Sequence, residues 1–213
     1  MKRQSKNSNK GSNKGQLFVI TGPSGVGKST IIKAIMQRMD NLAYSVSHTT
    51  RRPRKGEIDG RDYYFVDKNR FQRMINNGEF VEWARVYSDF YGTSYSSLEE
   101  KLMDGTDVIL DLDTQGALNI RKYFKNSTLI FVLVSSLEEL KRRLIKRGTD
   151  EEILKERISQ VQNEIRVAKV YDYIVINEIL EIAIKEMESI IISERIRTVK
   201  RLYYINSLLG DSP

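Results

Sequence analysis

The chain has no cysteine, a single histidine and a single tryptophan among its 213 residues. Without cysteine it forms no disulfide and no thiolate metal site, and nothing points to an oxidising compartment. No stretch approaches the ~20 consecutive apolar residues of a membrane span. The first residues lack the apolar core of a secretory signal, so the expectation is a cytoplasmic protein without a membrane partner. His48 stands alone and reads as incidental rather than catalytic.

Hydrophobic residues make up 40% of the chain, enough for one domain with a buried core and a mobile insertion. Of the net charge of +7, residues 1–15 carry +5 (Lys2, Arg3, Lys6, Lys10 and Lys14, with no acid), leaving +2 for the other 198 residues. Rich in Lys, Asn, Ser and Gly, this stretch reads as a disordered basic tail. It is a solvated extension, or it touches nucleic acid or another anionic surface weakly.

Gly22-Pro23-Ser24-Gly25-Val26-Gly27-Lys28-Ser29 fits G-x-x-x-x-G-K-[ST]. It follows a β-rich apolar run, 17–21, and precedes Ile31, Ile32, Ile35, Met36 and Met39 at helical spacing. In a strand–loop–helix unit the glycines let backbone N–H groups surround phosphates, and the helix N-terminus adds partial positive charge. Lys28 then reaches the β/γ-phosphates of ATP, Ser29 ligates Mg²⁺, and Thr30 completes the binding segment. Leu110-Asp111-Leu112-Asp113 ends a second apolar strand in acids, where a carboxylate positions Mg²⁺ directly or through water. Asp111 is the candidate, and the direction of Asp113 stays open because the chain turns there.

Further strands are expected at 44–47, 107–112, 128–134 and 173–176, alternating with helices. That alternation implies an α/β fold with a mainly parallel sheet. Capping-box spacing marks helix starts at Ser97, Ser136 and Thr149. Apolar residues Ile179, Ile182, Ala183, Met187, Ile190 and Ile191 suggest one long helix over 178–206. Between 47 and 95 the texture shifts to strands near 62–66, 79–86 and 90–95, with a helix over 67–77.

Several ordered motifs then accumulate. After the phosphate loop come Ser47-His48-Thr49-Thr50-Arg51-Arg52-Pro53-Arg54, Gly60-Arg61-Asp62-Tyr63-Tyr64-Phe65, Glu79-Phe80-Val81-Glu82-Trp83-Ala84 and Phe90-Tyr91-Gly92-Thr93. Leu110 to Gly116, Arg147-Gly148-Thr149 and Tyr171-Asp172-Tyr173 with Asn177 complete the series. In this order, over about residues 16 to 200, the chain resembles guanylate kinases.

The resemblance implies a P-loop nucleoside monophosphate kinase fold: a parallel-sheet core (16–46, 96–140, 168–206) with helices on both faces. It also implies a small β-rich NMP-binding insertion (about 47–95), a helical lid (about 141–167) and a C-terminal tail (207–213). The implied reaction is Mg²⁺-dependent transfer from ATP to GMP or dGMP. Arg51, Arg54, Tyr63 and Tyr91 bind the GMP phosphate; Ser47, Glu82, Thr93 and Asp113 recognise guanine. Arg143, Arg147 and Arg157 come from the lid to the transferring phosphoryl group, with Arg157 at shorter spacing than the family pattern. Asn177 borders the adenine pocket.

Chemistry supports these roles separately. Arginine forks suit a phosphate dianion. A carboxylate accepts from both N1–H and the exocyclic amine of guanine, and meets an acceptor in adenine. Read alone, Arg142, Arg143, Lys146 and Arg147 would be a solvated helix face. The rival readings are another nucleoside monophosphate kinase, or a non-catalytic binding module of the same fold. Oligomeric state is not legible.

Overall fold

A computed structural model gives the fold for residues 14–86, 88–146 and 161–210. Strand β1 (Leu17–Thr21) is buried along its whole length and lies at the centre of a five-stranded sheet. With β2 (Leu42–Tyr44), β7 (Asp107–Asp111), β8 (Thr128–Leu133) and β9 (Tyr173–Ile176), the order is β2-β7-β1-β8-β9 and all pairs are parallel. Burial on both faces explains the unbroken apolar run of β1. Phe18 and Ile20 point into one core with Ile31, Ile35, Ile109 and Met187, while Leu17 and Val19 point into another with Leu98, Leu102 and Ile120.

Helix α1 (Lys28–Arg38) packs in the first core and α3 (Tyr95–Met103) and α4 (Thr114–Tyr123) in the second. Helix α5 (Leu137–Lys146) follows β8.

Residues 48–94 build a second sheet in the order β4-β3-β6-β5. Its strands are β3 (His48–Thr49), β4 (Tyr64–Phe65), β5 (Phe80–Val86) and β6 (Asp89–Ser94). Helix α2 (Lys68–Asn76), capped by Asp67, supplies Phe71 and Met74, which join Phe80 in a separate small core. Rings stack there at 4.5 Å (Phe71–Phe80) and 5.5 Å (Phe71–Phe90). His48 belongs to this packing, 4.8 Å from the Tyr64 ring and 5.7 Å from that of Phe80.

Several local expectations change. The cap of α3 is Ser94, whose Oγ accepts from the Ser97 N–H at 3.3 Å, so the helix begins before Ser97. β6 is extended up to Ser94, and the cap falls where the extended backbone stops. The C-terminal helix is two helices, α6 (Leu180–Arg195) and α7 (Thr198–Leu209), broken by extended Arg197. Helix α6 is held by Ala183, Ile184, Met187, Ile190 and Ile191, whereas α7 buries no residue, so no packing forces it to continue straight. Ile179 and Ile182 are exposed rather than in the core. Helix α7 also runs past residue 206, and β2 starts two residues before the expected 44. The expected cap at Ser136 is present, accepting from the Glu139 N–H at 3.1 Å. The basic tail before Lys14, Thr149, Arg147, Arg157 and most of the expected lid lie outside the described residues.

Candidate active site

The loop 22–29 leaves the C-terminal end of β1 and turns into α1. Gly27 precedes α1 at φ 98°, and a Cβ there would lie 2.4 Å from the Asn177 amide nitrogen. At Gly22 (φ 144°) a Cβ would lie 2.2 Å from the Val132 carbonyl oxygen. Both positions therefore need glycine on conformational and steric grounds. No side chain caps α1 and no acid stands in its first turn, so the Lys28 and Ser29 N–H groups are placed for an anion, while the Thr30 N–H donates to the Gly27 carbonyl at 3.1 Å. Ser24 at the crest of the loop and Ser29 and Thr30 at the helix start are exposed. Lys28 folds over the loop, its ammonium donating to the Gly22 carbonyl at 2.6 Å and standing 3.9 Å from Asp111.

Asp111 ends β7, and Asp113 begins α4. Burial pushes the Asp111 carboxyl above the usual range, with Lys28 pulling the other way. Asp113 caps α4, accepting from the Gly116 N–H at 2.7 Å. Its charge also contributes to raising Glu82. The direction left open in the sequence is thus settled: Asp111 faces the loop, and Asp113 combines a capping role with an electrostatic reach toward the second sheet.

On that sheet, β5 and β6 pair Glu82 with Thr93 just after a bulge between Phe80 and Glu82. Burial raises the Glu82 carboxyl most strongly, hydrogen bonds from Thr93 oppose this, and Asp113 adds to it. Thr93 is fully buried, with its hydroxyl 3.3 Å from that of Ser47. Arg51 lies 5.3 Å from the Tyr63 ring centre, and Tyr63 and Tyr91 meet edge to face at 5.9 Å. Hydrogen bonding to Glu57, then to Tyr91, raises the Arg51 pKa. Burial raises the Tyr63 phenol, against the pull of Arg51 and Arg54.

Glu57, not singled out in the sequence, is central here. Its carboxylate accepts from the Arg51 guanidinium at 2.8 Å and from the Arg54 N–H at 2.7 Å. The Arg54 side chain itself is exposed. An acid inside a run of arginines was the available signal for Glu57. Glu164 had none. Burial raises its carboxyl, with Lys28 and Asp113 acting on it in opposite senses.

Asn177 follows β9, its amide donating to the Val26 carbonyl at 2.7 Å. Arg143 donates to the same carbonyl at 3.3 Å, to the Asn177 carbonyl at 2.8 Å and to Glu139 at 2.6 Å. Hydrogen bonds from Arg142 and Arg143 hold Glu139 down at about 2. Arg143 and Asn177, with Gly25, Gly27, Thr30 and Leu180, line a hollow of about 470 Å³ on the outer side of the loop. In this arrangement Arg143 ties the loop to Asn177. Among the described residues no group of three or more acids or histidines could hold a metal ion.

A parallel-sheet core with such a loop, an acid-ended neighbouring strand and a second sheet opposite defines a P-loop kinase of the α/β class. Residues 14–194 match the family model described as guanylate kinase. The guanylate kinase of Thermotoga maritima is 45% identical over 88% of this chain and 91% of that protein. That of Geobacter metallireducens is 43% identical over 88% and 93%, and that of Clostridioides difficile 46% over 85% and 89%. The crystal structure of guanylate kinase from Anaplasma phagocytophilum aligns with a TM-score of 0.69 at 34% identity, covering 88% of this chain and 89% of that one. The chain belongs to the guanylate kinase family.

Proposed function

We propose that the protein transfers the terminal phosphoryl group of ATP to GMP, and to dGMP, giving ADP and the nucleoside diphosphate. One observation carries this reading. The short segment Asp111–Asp113 serves both halves of the site: Asp111 stands by Lys28 of the phosphate loop, and Asp113 acts on Glu82 of the opposite pocket. Donor and acceptor held by these halves meet tail to tail across one strand end.

On the donor side the loop from Gly22 to Ser29, with Thr30, receives the ATP phosphates on backbone N–H groups and Lys28. The hollow beside Asn177 and Arg143 receives adenine. On the acceptor side Glu82 accepts from N1–H and the amine of guanine, and Ser47, Thr93 and Asp113 complete the edge. Arg51, Arg54, Tyr63 and Tyr91 take the GMP phosphate. In support of this, the Glu57 carboxylate already accepts from the Arg51 guanidinium and from the Arg54 backbone N–H. The attacking phosphate oxygen is already anionic, so no side chain need act as a base. Alignment and charge stabilisation supply the rate. Arg147 and Arg157 join Lys28 at the transferring group in this reading, whereas Arg143 acts from the adenine side through the loop.

Magnesium fits the donor set. Ser29 and Asp111 offer hard oxygens, and Asp111, raised by burial with Lys28 at 3.9 Å, gains from a nearby dication. Among the described residues no cluster would hold the ion alone, so Ser29 and Asp111 would hold it together with the nucleotide, and it would supply neutralising charge at the phosphates. A cytoplasmic location belongs to the same reading; among the described residues no helix is long and apolar enough to cross a membrane.

The test is a coupled ADP-release assay over a panel of nucleoside monophosphates with ATP. GMP and dGMP turn over fastest; faster turnover of AMP, CMP or UMP overturns the assignment.

A further inference from the structure

Opposite the phosphate loop, where β1, β8 and β9 begin, the sheet ends in a second hollow. Its volume is about 930 Å³, and its walls include Lys14, Arg121, Lys125, Ser127, Arg197 and Lys200. Strand β1 separates this end from the loop by its length, roughly 17 Å at ~3.3 Å per residue.

The charges of this cavity do not balance. Its two acids are already engaged. Asp172 accepts from Arg121 and from the Leu129 N–H, and Glu194 accepts from Arg197 at 3.2 Å and the Tyr173 hydroxyl at 2.8 Å. Lys14, Lys125 and Lys200 remain, and among the described residues none has a carboxylate within ion-pair distance. Lys200 donates to the Lys14 carbonyl at 3.1 Å, and burial lowers its pKa. The residues before Lys14 add Lys2, Arg3, Lys6 and Lys10 and no acid, so that part of the chain offers no neutralising group.

Hydrogen bonding is unbalanced in the same sense. Ser127 is 5% exposed, lines the cavity, and its Oγ has no partner; the Arg121 Nε is also buried and unpartnered. Buried donors left in this way are costly and mark a missing acceptor. Three ammonium groups around one cavity call for an anion with several separated oxygens. The volume lies within the range of small-molecule sites and exceeds what a single phosphate fills.

We propose that this cavity binds an oligophosphate, a chain of two or more linked phosphates, inorganic or carried by a nucleoside, at a site separate from the catalytic one.

Isothermal titration of tripolyphosphate into the full chain tests this, with Lys28→Ala and the pair Lys125→Glu, Lys200→Glu as comparisons. Two classes of site are expected in the unaltered protein. Lys28→Ala weakens one class and leaves the other; the charge-reversed pair loses the class that Lys28→Ala keeps, with GMP-dependent turnover unchanged. Lys125→Gln, a change of one side chain, safeguards against misfolding of the pair and weakens the same class about tenfold, the worth of one charge-assisted contact. A parallel titration of GTP into Lys28→Ala identifies the source: tighter binding than tripolyphosphate means a nucleoside carrier, equal or weaker binding an inorganic chain. The proposal fails if Lys28→Ala shows no saturable binding of either compound below about 1 mM, a weak affinity for so charged a site. It fails equally if Lys125→Gln and the charge-reversed pair bind as the unaltered protein does.

Discussion

Around the phosphate loop the donors are backbone N–H groups, held by a helix whose apolar face lies in the larger core. Across from it the groups are side chains, Ser47, Arg51, Tyr63, Glu82, Tyr91 and Thr93, projecting from short strands and turns over a core of three buried residues. The first region is fixed by local covalent geometry and by clamps on one carbonyl, that of Val26. The second is fixed only when strands far apart in sequence come into register. Damage to the loop should therefore remove chemistry while leaving the fold intact; damage opposite should separate substrate reading from catalysis.

The largest expected effect is that of Lys28→Ala. It should lower kcat on the order of 10²–10³-fold, as for removal of a preorganised electrostatic donor, while the far-UV circular dichroism melt stays where it was. A comparable loss of melting temperature would contradict the division drawn above.

Glu82→Gln should lower kcat/KM for GMP about 10- to 100-fold, the worth of about 1.5–3 kcal/mol of hydrogen bonding to a charged group, and leave ATP binding unchanged. The acid limb of the GMP profile should lie above the ordinary carboxylate range, because burial raises Glu82, and should vanish in this variant. Stability should move the opposite way. A carboxyl with a raised folded-state pKa binds its proton more tightly folded than unfolded, so its contribution is present below the ordinary pKa and lost as pH rises through the raised one. Glu82→Gln should thus melt above the unaltered protein at pH near 8, with the gap closing on acidification. Unchanged GMP kinetics would remove Glu82 from the guanine pocket.

Asn177→Ala tests the clamp. It removes the 2.7 Å bond to the Val26 carbonyl and should destabilise by about 1–3 kcal/mol while raising the KM for ATP and not for GMP. Smallest is Val81→Ala, about 1.5 kcal/mol for two buried methyl-sized groups, read by urea unfolding. Because Val81 packs in the second core rather than with Phe71, this change should affect GMP use more than ATP binding.

What could be read from the chain follows the same division. The unit from Leu17 to Arg38 was legible because strand, glycines and amphipathic helix are contiguous. Strands β1 and β9 fall at the expected 17–21 and 173–176. Partnerships across the fold were not. Nothing near Arg143 in sequence announces that it will grip Val26, 117 residues away. Glu57 could be noticed only as an acid among arginines, and Glu164 not at all. The choice of Ser94 over Ser97 as a cap depends on where a strand stops, and the break at Arg197 on a helix having nothing to lie against.

The extra residue in β5 sends neighbouring side chains to different cores. Phe80 packs with Phe71 and Met74, Val81 reaches Leu98, Leu110 and Ala117, and Glu82 is left beside Thr93. The smaller sheet is thereby stitched to the larger body along one margin, while β4, at the far margin, has β3 as its only strand neighbour among the described residues. A rigid turn of that sheet would have its axle at Val81, so the arginines near β4 would sweep the widest arc while the Glu82 carboxylate stayed almost still.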